Sequence, residues 1–242
     1  MSKPVLIIRN VPRENPGIIE IILREHAISY LIRDAYDSAD YGDIRDYSAL
    51  VVLGGPDSAN DTSRKMINEI DFVRNAIQSG IPYLGICLGM QVMVKALGGN
   101  VEKCKTAEIG FRDPSGSFFK VMLTPEGRED ILFYNLPDNL TVFQLHGETV
   151  MITTEMKLLA TGDYCRNQIV KAGEKAYGIQ SHFELTGDLL DSWAIEDEDL
   201  CKLDKVKLSN DFEAIKQEYF NTGRRLFQNF LDIAGLIRIG YK

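Results

Sequence analysis

The chain has 242 residues, of which 45% are hydrophobic and 26% charged, and its formal net charge is −8. This composition is typical of a globular protein with a substantial core, and the length fits one domain. The negative charge excludes a general binder of the phosphate backbone, so we expect no nucleic-acid partner. The apolar run at the N-terminus is too short for a signal peptide, and no segment has the length of a membrane span. We therefore expect a cytoplasmic protein that does not bind a membrane.

The first hundred residues alternate between predicted strands and helices. Strands are predicted at residues 4–11, 28–33, 49–53 and 81–86, and helices at residues 16–26, 61–79 and 88–97. Continuous apolar strands that alternate with helices indicate a parallel sheet covered on both faces, and ligands of such sheets bind at the carboxyl ends of the strands. Gly54, Gly55 and Cys87 fall at that edge. His26 ends a helix, so we expect it at the opposite edge, on the surface.

Cys87 occupies the junction between a strand and a helix that have no loop between them. The chain must turn sharply there, and Gly85 and Gly89 leave room for a strained backbone and for a substrate, as in a nucleophile elbow. The free N–H groups at the start of the following helix favour a thiolate, which is the reactive form of cysteine. The sequence therefore predicts a nucleophile at Cys87, although a buried cysteine is also an ordinary core residue.

The rest of the chain changes character after Gly98-Gly99. Short strands are predicted at residues 100–105, 117–123, 140–145, 156–160, 167–171 and 176–181, which together indicate an antiparallel or mixed extension of the sheet. From residue 185 the pattern is helical and acidic, with a helix capped at Ser209 or Asn210. We expect one domain at residues 1–184 and a helical extension at residues 185–242 that packs on it.

A cysteine nucleophile needs a base, and the chain has three histidines. His182 follows the strand at residues 176–181, and alternation in extended chain puts His182 and Glu184 on one face. A carboxylate in that position orients the imidazole while the imidazole activates the thiol. The N–H of Leu88 is one expected donor for an oxyanion, and the Gly54-Gly55 turn offers the second.

Four segments carry a resemblance to a known family: Leu53-Gly54-Gly55-Pro56, Gly85-Ile86-Cys87-Leu88-Gly89-Met90-Gln91, His146-Gly147-Glu148 and Gly178-Ile179-Gln180-Ser181-His182-Phe183-Glu184. In this order they resemble the class I glutamine amidotransferases, with the GMP-synthase-like branch the nearest, over residues 5–184. The resemblance implies a flavodoxin-like three-layer α/β/α sandwich.

The resemblance also implies roles for these residues. Cys87 would attack the carboxamide of glutamine, form a glutamyl thioester and release ammonia. His182 would act as base and then as acid, and Glu184 would orient it. The remaining matched positions would provide the oxyanion donors and hold the amino-acid end of glutamine; the donors are Gly55 and Leu88, and the substrate contacts are Gln91, His146, Gly147 and Glu148.

Two departures from the family pattern concern the site. Ser181 and Phe183 stand where the family usually has phenylalanine and proline, which changes the surroundings of His182. Glu148 stands where the GMP-synthase branch has aspartate. Its extra methylene is expected to shift the pocket toward a γ-glutamyl amide or peptide.

The chain contains no phosphate-binding loop of the kind that an ATP-dependent synthetase needs. The sequence thus predicts either a free-standing γ-glutamyl amide hydrolase or a subunit that passes ammonia to an ATP-dependent synthetase in trans. The alternatives are a γ-glutamyl peptidase with the same triad, a redox-sensing thiol protein, and a non-catalytic regulatory subunit. The four cysteines form no Cys-x-x-Cys pair, and we expect no disulfide framework, metal or cofactor.

Overall fold

The computed structural model describes residues 3–35 and 40–240. In the first half, strands β1 to β4 alternate with helices α1 to α3: β1 (Val5–Arg9), α1 (Ile18–Glu25), β2 (Tyr30–Asp34), β3 (Ala49–Val52), α2 (Arg64–Gln78), β4 (Tyr83–Ile86) and α3 (Leu88–Ala96). The second half adds β5 (Asn100–Gly110), β6 (Lys120–Leu123), α4 (Pro125–Glu129), β7 (Asn139–Thr141), β8 (Gln144–Met151), β9 (Met156–Gly162), β10 (Ile169–Ala172), β11 (Ala176–Ile179), α5 (Gly187–Glu196) and α6 (Lys205–Ile233).

Nine strands form the main sheet in the order β2-β1-β3-β4-β11-β10-β9-β6-β7. The five strands from β2 to β11 are mutually parallel, and each later step in the order is antiparallel. The predicted α/β fold with a mostly parallel sheet and a mixed extension is therefore confirmed. β11 closes the parallel part beside β4, so the ends of these two strands are neighbours.

Alternate residues of β1 belong to opposite layers. Val5 and Ile7 pack with helices α1 and α6 on one face, whereas Leu6 and Ile8 pack with α2 and α3 on the other. This is the period-two pattern of a strand whose two faces are both buried. The three layers that result agree with the predicted α/β/α sandwich.

Three details of the sequence prediction are wrong. The segment at residues 100–105 continues to Gly110 as β5 and pairs with β8 in a separate two-stranded ribbon. The segment at residues 140–145 is two elements, because β7 stays in the main sheet while β8 begins at Gln144 and joins the ribbon. The last helix is capped by the Asp204 side chain, which accepts hydrogen bonds from the N–H groups of Val206 and Lys207, and it runs unbroken to Ile233.

Helix α6 supports the predicted base. The hydroxyl of Tyr219 donates to the carbonyl of His182 at 2.7 Å, and the Tyr219 ring stacks on Phe183 with a centroid distance of 6.4 Å. Leu226 and Phe230 of the same helix lie in the core beside the sheet. The domain boundary at residue 184 stays a prediction. Within the described residues, no helix combines the length and the apolar character needed to cross a membrane.

Candidate active site

The junction at Cys87 has the strained geometry expected of an elbow. Cys87 is the N-cap residue of α3 and has a φ of 51°, a conformation uncommon for a residue with a side chain. Its N–H donates to Ile179 of β11 at 2.7 Å, which fixes the turn to the neighbouring strand. The residue is 7% exposed, so its sulfur is reached only from the cleft described below.

The glycines on either side of Cys87 serve packing. A Cβ on Gly85 would lie 2.4 Å from the Gly89 carbonyl oxygen, and one on Gly89 would lie 2.2 Å from the carbonyl oxygen of Val52. Contacts this short exclude any side chain. The prediction that these glycines leave room for a substrate is therefore wrong: their space brings α3 against β3 and β4.

His182 and Glu184 form a buried pair, with Nδ1 of His182 2.6 Å from Oε1 of Glu184. Both side chains are almost fully buried, at 1% and 2% exposure. The second oxygen of Glu184 accepts the N–H of Phe183 at 3.0 Å. Proline has no N–H to donate. The departure at position 183 thus adds a hydrogen bond that fixes the carboxylate, and the predicted pairing of His182 with Glu184 is present.

Charge and burial act in opposite directions on His182. Burial of the ring lowers its pKa, but the negative charge of Glu184 and the interactions with Cys87 and Glu184 outweigh burial, so the pKa of His182 lies well above 6.5. Nε2 is buried and has no well-aligned hydrogen-bond partner among the described residues. The contact between Nε2 and the sulfur is accordingly loose, as is common for catalytic pairs without substrate. The raised pKa favours the protonated ring, in which Nδ1 donates to Glu184.

The predicted nucleophile and base share one cleft of about 510 Å³. Its walls come from the ends of β1, β3, β4 and β11, from β8, and from the turn after α5. The residues that line it are Arg13, Glu14, Gly55, Pro56, Asp57, Ser58, Cys87, Gln91, Leu145, His146, Gly147, Glu148, His182, Glu196, Asp197, Glu198 and Asp199. Every predicted substrate-contacting residue is among them. His26 is exposed and ends α1, outside this cleft, as predicted.

The predicted oxyanion donors lie beside Cys87. Leu88 is the first residue of α3, and N–H groups in a first helical turn have no acceptor within their own helix. Gly55 borders the cleft, and a Cβ there would lie 3.2 Å from the Leu88 side chain. The two residues thus come together at the edge of the sheet, although the direction of their N–H groups toward a substrate stays a prediction.

Gln91 and Glu148 are connected by a hydrogen bond. The amide nitrogen of Gln91 donates to the backbone carbonyl of Glu148 at 3.3 Å. The Glu148 carboxylate accepts the hydroxyl of Ser58 at 2.8 Å. The Glu148 side chain thereby joins β8 to the loop after the Gly54-Gly55 turn, and both Glu148 and Ser58 line the cleft.

His146 lines the cleft, but both of its ring nitrogens already have protein contacts. Nε2 is 2.8 Å from Oε2 of Glu108, and Nδ1 is 3.0 Å from the carbonyl oxygen of Glu148 and 3.6 Å from the sulfur of Cys104. An imidazole held in this way is not placed to take a proton from Cys87. This geometry favours His182 as the base.

Sequence reasoning missed Gln180 as a site residue. Its amide nitrogen lies 3.6 Å from the sulfur of Cys87, and its oxygen accepts the amide of Gln91 at 3.4 Å. Ile179 is paired with Ile86 in the parallel register, so the next residues along the two strands are Gln180 and Cys87. Only the register between β4 and β11 identifies Gln180 as a neighbour of Cys87, and that register cannot be read from the sequence.

The acidic segment after α5 borders the cleft directly. Trp193 packs on His182 with a centroid distance of 5.0 Å, and its indole N–H donates to the carbonyl of Arg13 at 2.9 Å. Arg13 pairs with Asp197 at 3.0 Å. The sequence predicts a helical and acidic segment here, and periodicity alone gives no sign that it reaches the site.

Glu14 is a further carboxyl group beside the His182–Glu184 pair. Each of the three side chains offers an atom within 4.8 Å of the others. Burial raises the pKa of Glu14 to about 7. The positive charges of His182 and Arg13 lower this pKa, and the negative charges of Glu184 and Asp197 raise it. Glu14 follows β1 at the carboxyl edge of the sheet, so the same edge rule that grouped Gly55 with Cys87 could have found it.

We predict that Glu14→Gln flattens the pH dependence of stability. The pKa of Glu14 is about 7 in the folded protein and 4.5 in the unfolded chain. Between these two pH values the unfolded chain loses a proton that the folded protein keeps. Stability therefore falls as pH rises through this window, by about 3 kcal/mol for this one group, and changes no further above pH 7. The measurement is the free energy of unfolding by urea from pH 4.5 to pH 8.

The control for this prediction is Glu155→Gln, which alters an exposed glutamate before β9. Glu69 is a second fully buried glutamate whose pKa is raised to about 7 by burial, so wild type keeps part of its slope in the Glu14 variant. Equal slopes for wild type, Glu14→Gln and Glu155→Gln would contradict the prediction.

Two groups of side chains in the described residues bring metal-ligating atoms together. The first is Glu14 with His182 and Glu184. The hydrogen bond from His182 to Glu184 and the raised pKa of Glu14 explain why these three side chains lie together without a metal ion. The second is Cys104, His146 and Cys165, which the predicted mechanism does not use.

This geometry defines an α/β protein with a cysteine at a nucleophile elbow and a buried histidine–glutamate pair in the same cleft. The family model described as "Glutamine amidotransferase class-I" matches residues 23–199, more than half of the chain. The chain belongs to the class I glutamine amidotransferases.

Its relatives agree with this assignment. The glutamine-hydrolyzing GMP synthase from Ligilactobacillus salivarius is 34% identical over 56% of this chain and 24% of its own length. A separate subunit of the glutamine-hydrolyzing GMP synthase from Methanococcus maripaludis is 33% identical over 58% of this chain and 68% of its own length. The chain thus spans about a quarter of the length of the first of these relatives. The crystal structure of a glutamine amidotransferase from Thermotoga maritima superimposes with a TM-score of 0.84 and 28% identity, covering 96% of this chain and 99% of that one.

Proposed function

We propose that the protein hydrolyses the side-chain amide of glutamine or of a closely related γ-glutamyl compound, with Cys87 as nucleophile. The observation that carries this proposal is the shared cleft: the strained Cys87 at the start of α3 and the buried His182–Glu184 pair line the same cavity. A core cysteine has no need of a strained φ or of a histidine–carboxylate pair beside it.

The proposed reaction begins from a thiolate at Cys87 and an imidazolium at His182. The sulfur attacks the amide carbon, and the charge that develops on the amide oxygen is stabilised by the N–H groups of Leu88 and Gly55. The imidazolium gives its proton to the leaving nitrogen, ammonia departs, and a glutamyl thioester remains. His182, now neutral, takes a proton from water as the water attacks the thioester, and glutamate and the thiolate are released. Glu184 keeps the imidazole in the required orientation throughout.

The substrate's amino-acid end is proposed to lie between Gln91 and the His146-Gly147-Glu148 segment. These residues line the cleft on the side of β8, and the Gln91 amide is already positioned by its hydrogen bond to Glu148. Backbone groups of the segment would do most of the holding, since the ring nitrogens of His146 have other contacts.

A γ-glutamyl amide with a cationic amine is a second candidate substrate. The cleft continues past His182 to the turn at Glu196, Asp197, Glu198 and Asp199, whose carboxylates outnumber the one arginine of the lining, Arg13, which pairs with Asp197. Such an acidic wall attracts a positively charged leaving amine and repels a negatively charged one. Free glutamine does not extend that far, so this border favours a longer γ-glutamyl compound.

A synthetase partner in trans is proposed for the case in which ammonia is passed on. The relatives named GMP synthase include longer chains and a chain named as one subunit of the enzyme. By analogy with the relative named as one subunit, we propose that an ATP-dependent synthetase working with this chain accepts the ammonia. A cytoplasmic location stays a proposal from the sequence.

The experiment measures the leaving group that the purified protein releases, with Cys87→Ala as the blank. The leaving group is ammonia from L-glutamine, the diamine from γ-glutamyl diamines and glycine from γ-glutamylglycine. Release from glutamine that depends on Cys87 supports a glutaminase, and a preference for the diamine over the glycine conjugate supports the second candidate. Silence on every substrate, with and without added synthetase from a relative, would contradict both and favour a non-catalytic subunit.

A further inference from the structure

A thiol–imidazole cluster lies beneath the β8 side of the cleft. It consists of Cys104 of β5, His146 of β8 and Cys165 of the turn between β9 and β10. The two sulfurs and one ring nitrogen of the histidine all lie within 4.8 Å of one another, and the distance from the Cys104 sulfur to Nδ1 is 3.6 Å. His146 and Cys165 are buried, whereas Cys104 is partly exposed.

These distances suit a tetrahedral zinc ion. With zinc about 2.3 Å from a thiolate sulfur and about 2.0 Å from an imidazole nitrogen, tetrahedral angles place the sulfur and the nitrogen about 3.5 Å apart. The observed 3.6 Å between Cys104 and His146 is close to this value. A sulfur–sulfur separation of about 3.8 Å follows from the same bond lengths. This value falls inside the 4.8 Å within which the cluster's atoms lie.

The outer contacts of His146 are those of a metal-ligating histidine. Its Nε2 faces Oε2 of Glu108 at 2.8 Å, and the same oxygen accepts the amide of Gln168 at 2.8 Å. Glu108 and Gln168 are fully buried. A carboxyl group is costly to bury unless it is hydrogen-bonded, so packing alone does not explain why Glu108 lies here. A carboxylate on the distant nitrogen fixes the ring so that Nδ1 turns to the metal. Here Nδ1 lies 3.6 Å from the sulfur of Cys104 and 3.0 Å from the carbonyl oxygen of Glu148.

Cys165 has a further contact of this kind. The hydroxyl of Thr149 lies 3.0 Å from its sulfur, and either atom can donate in this hydrogen bond. With Cys165 as a ligating thiolate, the hydroxyl would be the donor, as is common around bound metals. Thiolate and imidazole ligands together select zinc over magnesium or calcium, which require oxygen.

We propose that Cys104, His146 and Cys165 bind a zinc ion, with the fourth position open to water from the side of the partly exposed Cys104. Binding of zinc displaces any proton that Nδ1 of His146 donates to the Glu148 carbonyl. That carbonyl also accepts from Gln91. The ion would fasten the β5–β8 ribbon to the turn before β10 and stiffen the segment that borders the cleft. Sequence spacing gave no sign of this site because its ligands come from three separate elements.

The test measures zinc content and affinity in the full-length protein, kept reduced with a phosphine. Wild type and Cys201→Ser, which alters an exposed cysteine outside the cluster, are expected to hold about one equivalent after dialysis against buffered zinc. Cys104→Ser and Cys165→Ser are expected to lose at least about 100-fold in affinity in a chelator competition. Cobalt(II) substituted for zinc is expected to give the sulfur-to-metal charge-transfer absorption of thiolate ligation in wild type and not in Cys104→Ser.

The readouts also separate failure of the site from failure of the fold. Cys104 is partly exposed, so Cys104→Ser is the primary variant, and its circular dichroism is compared with that of wild type. A wild type that takes up no zinc and whose melting temperature zinc does not change would overturn the proposal. The proposal would also be overturned if hydrogen peroxide removed two titratable thiols and gave a Cys104–Cys165 disulfide peptide while the protein bound no zinc. That result would assign the two cysteines to redox chemistry.

Discussion

Cys87→Ala is expected to lower kcat/KM for amide hydrolysis by about 10⁴-fold or more, because no other group in the cleft is placed to form the thioester. The fold should be unaffected. The hydrogen bonds of the Cys87 sulfur are long, at 3.6 Å to the amide of Gln180 and 3.7 Å to the carbonyl of Leu145, and its contact with His182 is loose. The measurement is steady-state hydrolysis of whichever γ-glutamyl amide the wild type turns over, with thermal melting to compare the folds.

The matched control is Cys201→Ala, which removes an exposed thiol and should keep full activity. A glutamine analogue that carries a chloroketone in place of the amide provides an independent readout. It should alkylate Cys87 with loss of HCl, so that the peptide containing Cys87 gains the mass of the analogue less HCl in wild type and in Cys201→Ala. Turnover by Cys87→Ala within tenfold of wild type would refute the nucleophile, and labelling of another cysteine would identify the alternative.

The parallel half of the fold was predictable because β1, β3, β4 and β11 are buried on both faces. Such strands are continuous apolar runs, and β3 and β4 stand out from their neighbours on that basis alone. The elbow followed from the missing loop before Cys87. Its position next to Gly55 followed from one rule about the carboxyl ends of parallel strands.

The ribbon of β5 and β8 was not predictable in the same way. Its strands are half exposed and pair over a long separation in sequence with an irregular register between Lys103 and Glu108. Local pattern contains the strands but not their partner, because register is set by tertiary contacts. The same limit hid the thiol–imidazole cluster, since Cys104, His146 and Cys165 meet only once the ribbon and the β9–β10 turn have packed together.

The carboxylates around His182 show a third kind of limit. The motif contains Glu184, so its pairing with His182 could be predicted from spacing. Glu14 and Asp197 lie far from the motif in sequence, and each resembles a solvated surface residue until its burial or its partner is seen. Burial, which decides the protonation of Glu14, has no local signature in a loop.

The identity of the base gives the last prediction, in which two histidines are replaced by amides of matched reach. The side-chain amide of asparagine at position 182 can occupy the place of Nδ1 and donate to Glu184, but nothing then stands at Nε2 near Cys87. We expect His182→Asn to lower kcat by about 10³-fold, within the range that removal of a general acid–base costs. Glutamine at position 146 can occupy the place of Nε2 and keep the contact with Glu108. We expect His146→Gln to change kcat by less than about tenfold and to act mainly on KM.

The comparison is decisive because the two histidines share a cleft but differ in what their rings contact. Nδ1 of His182 is bound to Glu184 and its Nε2 is left for the sulfur, whereas both nitrogens of His146 are engaged by Glu108 and by the carbonyl of Glu148. Steady-state kinetics of the two variants, with matched melting curves, measure the difference. If His146→Gln lost as much kcat as Cys87→Ala while His182→Asn stayed near wild type, His146 would be the base and the assignment of His182 would be wrong.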